Sequence, residues 1–427
     1  MMTFFVVKIA ANIRNGVECI VKKMLKTSLI VILLSVIYAY MLVIINLPDT
    51  LIVFEGENIK LNTLYGVNIN LKDKSYEAMF TSSNVGETAF NEKGKTTLTA
   101  SLFNFDIKDI EVSVLDKTAV IPIGKIAGIK LYTKGVLVVG MAEIEGQKPY
   151  EKSEIQEGDI ITNINEEEVS NTTELIECIN KSNGDSLNIT YITEGETKQC
   201  NITPVKNEAG KYQIGLWVRD SAAGIGTVTF YEPETGNFVA LGHGITDIDT
   251  SDIINISSGE LVNTKILSIV KGQSGTPGKI QGALDSQRSI GTIYKNTRLG
   301  IYGKVTTAAN LLPSYSNSIQ VATRDEIKLG KATILCSVQN SDKIEEYEIE
   351  IERKFVNNNY DNKSMLIKVT DDRLIEKTGG IVQGMSGSPI IQNGKFIGAV
   401  THVIVSNPKE GYAVFGDMLV KQMRSVE

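Results

Sequence analysis

Residues Gly384-Met385-Ser386-Gly387-Ser388-Pro389 have the G-x-S-G-x-P form that suits an acyl-transfer nucleophile. A serine hydroxyl becomes nucleophilic only when a neighbouring base takes its proton. It also needs donors aimed at the oxygen that turns negative in the tetrahedral intermediate. Gly384 lets the chain turn sharply and present the amides of Gly384 and Ser386 as an oxyanion hole, while Gly387 permits close approach behind the nucleophile. Pro389-Ile390-Ile391-Gln392 and Lys395-Phe396-Ile397-Gly398-Ala399-Val400 flank Asn393-Gly394, a strong hairpin signal.

The same pattern occurs at Gly272-Gln273-Ser274-Gly275-Thr276-Pro277. The following GKIQGALDSQ carries no evident apolar strand or hairpin turn, and Ser274 comes too soon after His243 for two β-barrels. Ser274 is therefore expected on a glycine-rich surface loop. Around Ser386, by contrast, serine loop, strand, tight turn and strand follow the order found around the nucleophile of chymotrypsin-like peptidases. Ser386 is the nucleophile candidate.

Only two histidines exist, so any imidazole base is His243 or His402. His243 ends an apolar run, Val239-Ala240-Leu241, and sits between two glycines, which suits a strand end. Its place well before the serine also fits chymotrypsin-like chain order. His402 alternates within the strand after the hairpin and is expected to pack or hydrogen-bond near the site. For the acid that would orient the imidazole, Asp247, Asp249, Asp371 and Asp372 are all candidates, and spacing does not choose among them.

The elements around these residues follow from composition and pattern. The chain has 427 residues, 42% hydrophobic and 22% charged, which suits a globular protein of two or three domains. A formal charge of −7 argues against a nucleic-acid partner. Cys19, Cys178, Cys200 and Cys336 lack metal-like spacing and are expected as free, mostly buried thiols, although Cys178 and Cys200 could pair. No cofactor or metal is expected.

Leu29 to Ile45 is an uncharged run long enough to span a bilayer, preceded by Lys8, Arg14, Lys22, Lys23 and Lys26 and followed by Asp49 and Glu55. This gives a basic cytoplasmic segment over 1–27 and an anchor or signal-anchor over 28–47, with everything later outside. Residues 48–110 form a connector with a few strands, and 111–205 form a small α+β domain. Within that domain EGDIITNINEEEV (157–169) gives two β pieces around a turn. A helix starting at Asn171 or Thr172 follows, with Asn171 and Glu174 spaced as a capping box. Residues 206–427 are rich in short strands and glycine turns, enough for a double β-barrel.

The 157–169 phrase resembles the core of bacterial peptidase PDZ domains, with Glu166 where glycine is usual. That resemblance implies capture of a peptide or protein terminus, with Gly124 to Leu131 preceding or forming the carboxylate loop and peptide-accepting strand. Three longer phrases are GLWVRDSAAGIGTVTFYEPETGNFVALGHGITD (215–247), KVTDDRLIEKTGGIVQGMSGSPIIQNGKFIGAVTHV (368–403) and GYAVFGDML (411–419). They resemble the stage IV sporulation protein B peptidases of endospore-forming bacteria, as does the order anchor, PDZ domain, peptidase. The resemblance implies a mainly β fold with a chymotrypsin-like double barrel and a triad of Ser386, His243 and Asp371. Asp372 stands where that family shows proline. It further implies export into the forespore intermembrane space, where a membrane-bound regulator and the enzyme itself are cleaved, leading to activation of a late sigma factor. A catalytically silent PDZ scaffold and a general stress protease are the competing readings.

Overall fold

The computed structural model describes residues 2–60, 67–72, 80–82, 87–90, 92–102, 105–312, 317–339, 343–355 and 362–426. It divides into two units, the first holding residues 1–51 and 56–114 and the second holding 52–55 and 115–427.

In the first unit one helix, α1 (Met2–Asn46), contains the apolar run. Its stretch Lys23–Ile45 is long and apolar enough to cross a membrane, a property shared by anchors and signal sequences. Lys108 closes the end of the helix by donating to the carbonyls of Ile44 and Leu47, which no further helical amide can reach. The strands expected in the connector are present as a hairpin of Gly94–Leu102 with Phe105–Leu115, edged by Val67–Leu71. Within that connector 61–66, 73–79, 83–86, 91 and 103–104 lie outside the described residues, as do the side chains of 1–22, Cys19 included.

The second unit begins with β1 (Ala119–Pro122) and the 16-residue β2 (Ile126–Met141). The PDZ segment follows as β3 (Ile160–Ile164), α2 (Thr172–Lys181), β4 (Leu187–Thr193) and β5 (Glu196–Ile202). The turn after β3 places Asn165 and Glu166 at φ 48° and 70°, so Glu166 takes the left-handed backbone that glycine usually supplies. Asn171 caps α2 by accepting from the Glu174 amide at 3.0 Å. The return bond of the capping box goes one residue earlier than expected, from the Ser170 amide to Glu174 at 2.8 Å.

Six strands close the first barrel. They are β2, β6 (Leu216–Tyr231), β7 (Asn237–Ala240), β8 (Ile256–Val270), β9 (Lys279–Thr297) and β10 (Gly300–Val305). Antiparallel pairing runs β2–β8–β9–β10–β7–β6 and back to β2. The second barrel closes as β11 (Gly330–Cys336), β12 (Glu345–Lys354), β13 (Met365–Val369), β16 (Asn407–Phe415), β15 (Lys395–Ile404) and β14 (Pro389–Gln392). Mainly β, with a PDZ domain and two six-stranded barrels, the fold matches the architecture read from the sequence.

Two sequence readings change. Residues 124–131 are not a peptide-accepting edge, because Ile126–Leu131 pairs with β6 and Gly128–Leu131 pairs on its other side with β8, inside the first barrel. GKIQGALDSQ is strand after all, the start of β9. Its mixed polarity hid it, since buried Ile280 alternates with exposed Gln281 on a sheet with one solvated face. Cys178, Cys200 and Cys336 are free, and burial pushes the Cys336 thiol far above its ordinary value.

Phe396 of β15 is fully buried and meets Phe230 of β6 edge to face at 5.3 Å, joining the two barrels through aromatic contact. Truncation by Phe396→Ala is expected to lower stability by about 3–5 kcal/mol in denaturant unfolding.

Candidate functional site

Ser386 sits on a loop between α3 (Asp372–Thr378) and β14. Gly379 ends α3 in the left-handed region at φ 80°, directing the chain into the loop. Asn393 and Gly394, at φ 53° and 74°, make the tight turn behind it that the sequence predicts. Gly387 has φ 96°, and a Cβ there would lie 2.1 Å from the Thr227 carbonyl and 2.6 Å from the Leu241 amide. Only glycine fits this contact, which sets the serine loop of the second barrel on the backbone of the first. Thr227 completes the seam, its hydroxyl donating to the Gly384 carbonyl at 2.7 Å and its amide to the Ser386 carbonyl at 3.0 Å.

Within the loop the amides of Met385, Gly387 and Ser388 donate to Val382, Val400 and Met385. Those of Gly384 and Ser386 have no acceptor among the described residues. They are the two amides that an oxyanion hole requires. The hydroxyl of Ser386 donates to the Thr401 carbonyl at 2.8 Å.

The second pattern, around Ser274, is the loop joining β8 to β9. Ser274 is exposed and donates to the Ser406 carbonyl. Its loop buttresses the other one: the Gly272 amide donates to Thr378, and Ile280 and Gln383 carry a backbone bond at 2.9 Å.

His243 follows β7 through Leu241 and Gly242, both left-handed at φ 71° and 70°. A left-handed leucine is strained, and it is held by the Leu241 amide bonding to Thr227 at 3.1 Å. The ring is half-buried, with Nδ1 2.8 Å from the Gly244 carbonyl. A carbonyl only accepts, so Nδ1 carries the proton and Nε2 keeps its lone pair. Burial pulls the pKa of His243 below its ordinary value, outweighing the Gly244 bond, so the imidazole is neutral at neutral pH. His402 lies beside it, ring centroids 5.3 Å apart. Both face an open cleft of about 670 Å³ whose lining includes Ile245, Arg298, Asn362 and Lys363.

The structure brings the Ser386 and His243 segments to one seam, and no bond between the two side chains is formed among the described residues. No bond joins Asp371 to His243 among the described residues. Asp371 caps α3, accepting from the Arg373 amide at 2.9 Å and the Glu348 amide at 3.2 Å, and pairs with the Arg373 guanidinium at 2.8 Å. That guanidinium holds its carboxyl below the ordinary range. Leu366 stands across from Tyr412, and Tyr412 across from His402. Asp371 lies two residues beyond the end of β13. Asp372 is exposed at the first turn of α3. Asp247 and Asp249 are both engaged by Arg219, at 2.7 and 2.9 Å.

Sequence patterns did not disclose Asn296. Its Oδ1 accepts from the Ile245 amide at 2.9 Å, and its Nδ2 donates to the carbonyls of Ile245 at 2.8 Å and Ile254 at 2.9 Å. These three bonds fix the amide's orientation and clamp the loop two residues past His243. An asparagine in the last turn of an otherwise strand-like run was the available signal, since asparagine is depleted in strands. The neighbouring Thr297 carbonyl would lie 2.6 Å from a Cβ on Gly244, which accounts for the glycine after the histidine.

Residues 210–420 match the SpoIVB peptidase S55 family, and residues 110–203 match the PDZ domain family. No curated protein matches the chain. Among solved structures, the active form of the Rv3671c protease from M. tuberculosis shares 12% identity over 48% of this chain and 74% of its own, at a TM-score of 0.27. The HtrA-type protease AlgW with a decapeptide shares 10% over 71% and 64%, at 0.30. The PDZ domain of the SdrC-like protein from Listeria monocytogenes shares 24% over 20% and 87%, at 0.18. At TM-scores this low, none of the three likenesses bears on the function of this chain.

Asn296→Ala is expected to cost about 1–3 kcal/mol of stability through orphaned loop groups. It is also expected to lower kcat on the order of 10²-fold by displacing His243, read by steady-state kinetics beside a denaturation curve. Because burial disfavours the imidazolium, the acid limb of kcat/KM in the wild type should inflect below about pH 6.5.

Proposed function

Because these matches place the chain in the PDZ-containing SpoIVB peptidase family of serine peptidases, we propose that it is a signalling endopeptidase that makes a regulatory cut outside a membrane. Ser386 is the nucleophile in this reading and His243 the general base, with the amides of Gly384 and Ser386 receiving the oxyanion. The observation that carries it is the seam at Gly387, which sets a G-x-S-G-x-P loop with two undonated amides beside a neutral, Nδ1-protonated histidine. Rotation of the Ser386 hydroxyl away from the Thr401 carbonyl toward Nε2 starts the reaction. The serine proton passes to His243 as Oγ bonds to the scissile carbonyl carbon, and His243 then returns the proton to the leaving amine.

The physiological setting rests on the family resemblance. The catalytic part lies in the forespore intermembrane space, behind an amino-terminal anchor or signal-anchor. There it cleaves a membrane-bound regulator, and itself, leading to activation of a late sigma factor. The PDZ match supports a peptide-binding role in that process, and the apolar helix supports the membrane location.

Asp371 is the family's expected acid, and its position favours a different role. As the cap of α3 it fixes the helix that delivers the chain to Ser386, while the Gly244 carbonyl orients the imidazole.

Ser386→Ala is expected to abolish both self-cleavage and fluorophosphonate labelling while the fold persists; continued labelling would overturn the reading. Asp371→Asn separates the two roles of that residue, since asparagine caps helices about as well as aspartate. The expected change in kcat is less than about tenfold, whereas a loss on the order of 10⁴ would make Asp371 the triad acid.

A further inference from the structure

β6 runs without a break through two domains. Its first residues extend the PDZ sheet, with Leu216 across from Met141, Trp217 from Gly140, Val218 from Val138 and Arg219 from Leu137. Its later residues build the first barrel and include Thr227, which holds the Gly384 and Ser386 carbonyls. On the other edge of Leu216–Arg219 no strand pairs among the described residues. The element flanking that edge is α2, whose first turn is tied to it by the Thr172 amide bonding to Asp220 at 2.7 Å.

The geometry points to this edge as the peptide-accepting strand of the PDZ domain, and to Arg219 as the residue that carries its occupancy to His243. The occupant it fits is the free carboxyl end of an extended apolar peptide. Backbone groups of Leu216–Arg219 are available for strand addition, the mode by which PDZ domains bind. Trp217 of this strand stands exposed at 65%, and Ile176 of the flanking α2 at 51%. At the start of the edge, Gly215 turns the chain at φ 76°. Lys206 lies over the Tyr212 ring at 5.5 Å, which sets a cation near that turn, where a terminal carboxylate would end.

The link to the catalytic loop is a clasp. Arg219 reaches from the edge strand to Asp247 at 2.7 Å and Asp249 at 2.9 Å, four and six residues after His243. The Asp247 carboxylate is nearly inaccessible, and its other oxygen accepts from the amides of Asp249 at 2.9 Å and Thr250 at 3.1 Å. Burial alone would raise the pKa of Asp247, but the two amides and Arg219 outweigh it and keep the group charged. A buried carboxylate that is both paired and hydrogen-bonded strongly resists losing its partner. A peptide strand that fixes the backbone at Arg219 therefore fixes the turn after His243. Arg219 is a positioning residue, and the PDZ domain sets the rate of the chemistry as well as capturing a ligand.

This inference rests on Ser386 being the nucleophile, and the test separates the two. The full-length chain in detergent is labelled with a fluorophosphonate, with and without a pool of decapeptides bearing apolar, free carboxyl ends. Peptide is expected to raise the labelling rate at least about fivefold, the lower range of measured couplings. Ile176→Asp should weaken peptide binding and shift the peptide-dependent rise in rate to higher peptide concentration. Arg219→Gln should bind peptide with unchanged Kd and show a rate ratio near one. If that variant does not fold, Asp249→Asn removes only the outer arm of the clasp and is expected to reduce the ratio with binding intact. Absence of peptide binding, binding that leaves the wild-type rate unchanged, or a ratio that persists in the clasp variants overturns the inference. No labelling of the wild type under any condition overturns the catalytic assignment instead.

Discussion

The close approach of Gly387 to Thr227 and Leu241 is the contact on which the site depends. Two barrels of a peptidase must present nucleophile and base from separate chain segments, and side-chain packing alone leaves tenths of an ångström of play. Here backbone meets backbone with no room for a Cβ on Gly387. The Thr227 amide and hydroxyl then fix the carbonyls on either side of Met385. Met385 is fully buried, so the loop is held from below as well as from the side. With the carbonyls of Gly384 and Ser386 turned to Thr227, the amides of these two residues have no acceptor among the described residues. Two donors fixed in this way by the seam are of the preorganised kind that avoid reorganisation during reaction.

The same seam explains why β6 and β2 are so long. Each serves a barrel with one part and the PDZ sheet with the other, so the PDZ segment is set into the first barrel between these two strands. The barrel begins at β2, before the PDZ helix, and resumes at β6. A flexible linker would let a PDZ domain tether a substrate with no mechanical consequence. Two shared strands cannot do that, because a strand rotates or shifts as a unit over its hydrogen-bonded length.

Local signals are legible in the sequence and non-local ones are not. The Asn393-Gly394 hairpin, the α2 cap at Asn171 and the apolar amino-terminal helix each depend on neighbours within a few residues, and each stands where the sequence puts it. The pairing of 216–219 with 137–141 joins segments about eighty residues apart, and nothing local distinguishes one long strand from two short ones. For that reason the sequence points to 124–131 for the peptide-accepting edge. The acid is a related case. Spacing leaves four aspartates open and the family resemblance points to Asp371, whose carboxylate caps a helix and is engaged by two amides and Arg373. Asn296 is hidden because its partners, Ile245 and Ile254, contribute backbone atoms only.

An imidazole oriented by a backbone carbonyl differs in kind from one oriented by a carboxylate. A carboxylate stabilises the imidazolium formed in the transition state, whereas a carbonyl contributes only a dipole. In exchange, no carboxylate bonds to His243 among the described residues, and burial pulls the pKa of the ring below its ordinary value. The orientation of a ring held in this way depends on how firmly the loop holds it. The loop is held by Asn296 on one side and the Arg219 clasp on the other, one anchored in the barrel and the other in the PDZ sheet. How firmly these two anchors hold the loop therefore sets how firmly the His243 ring is held.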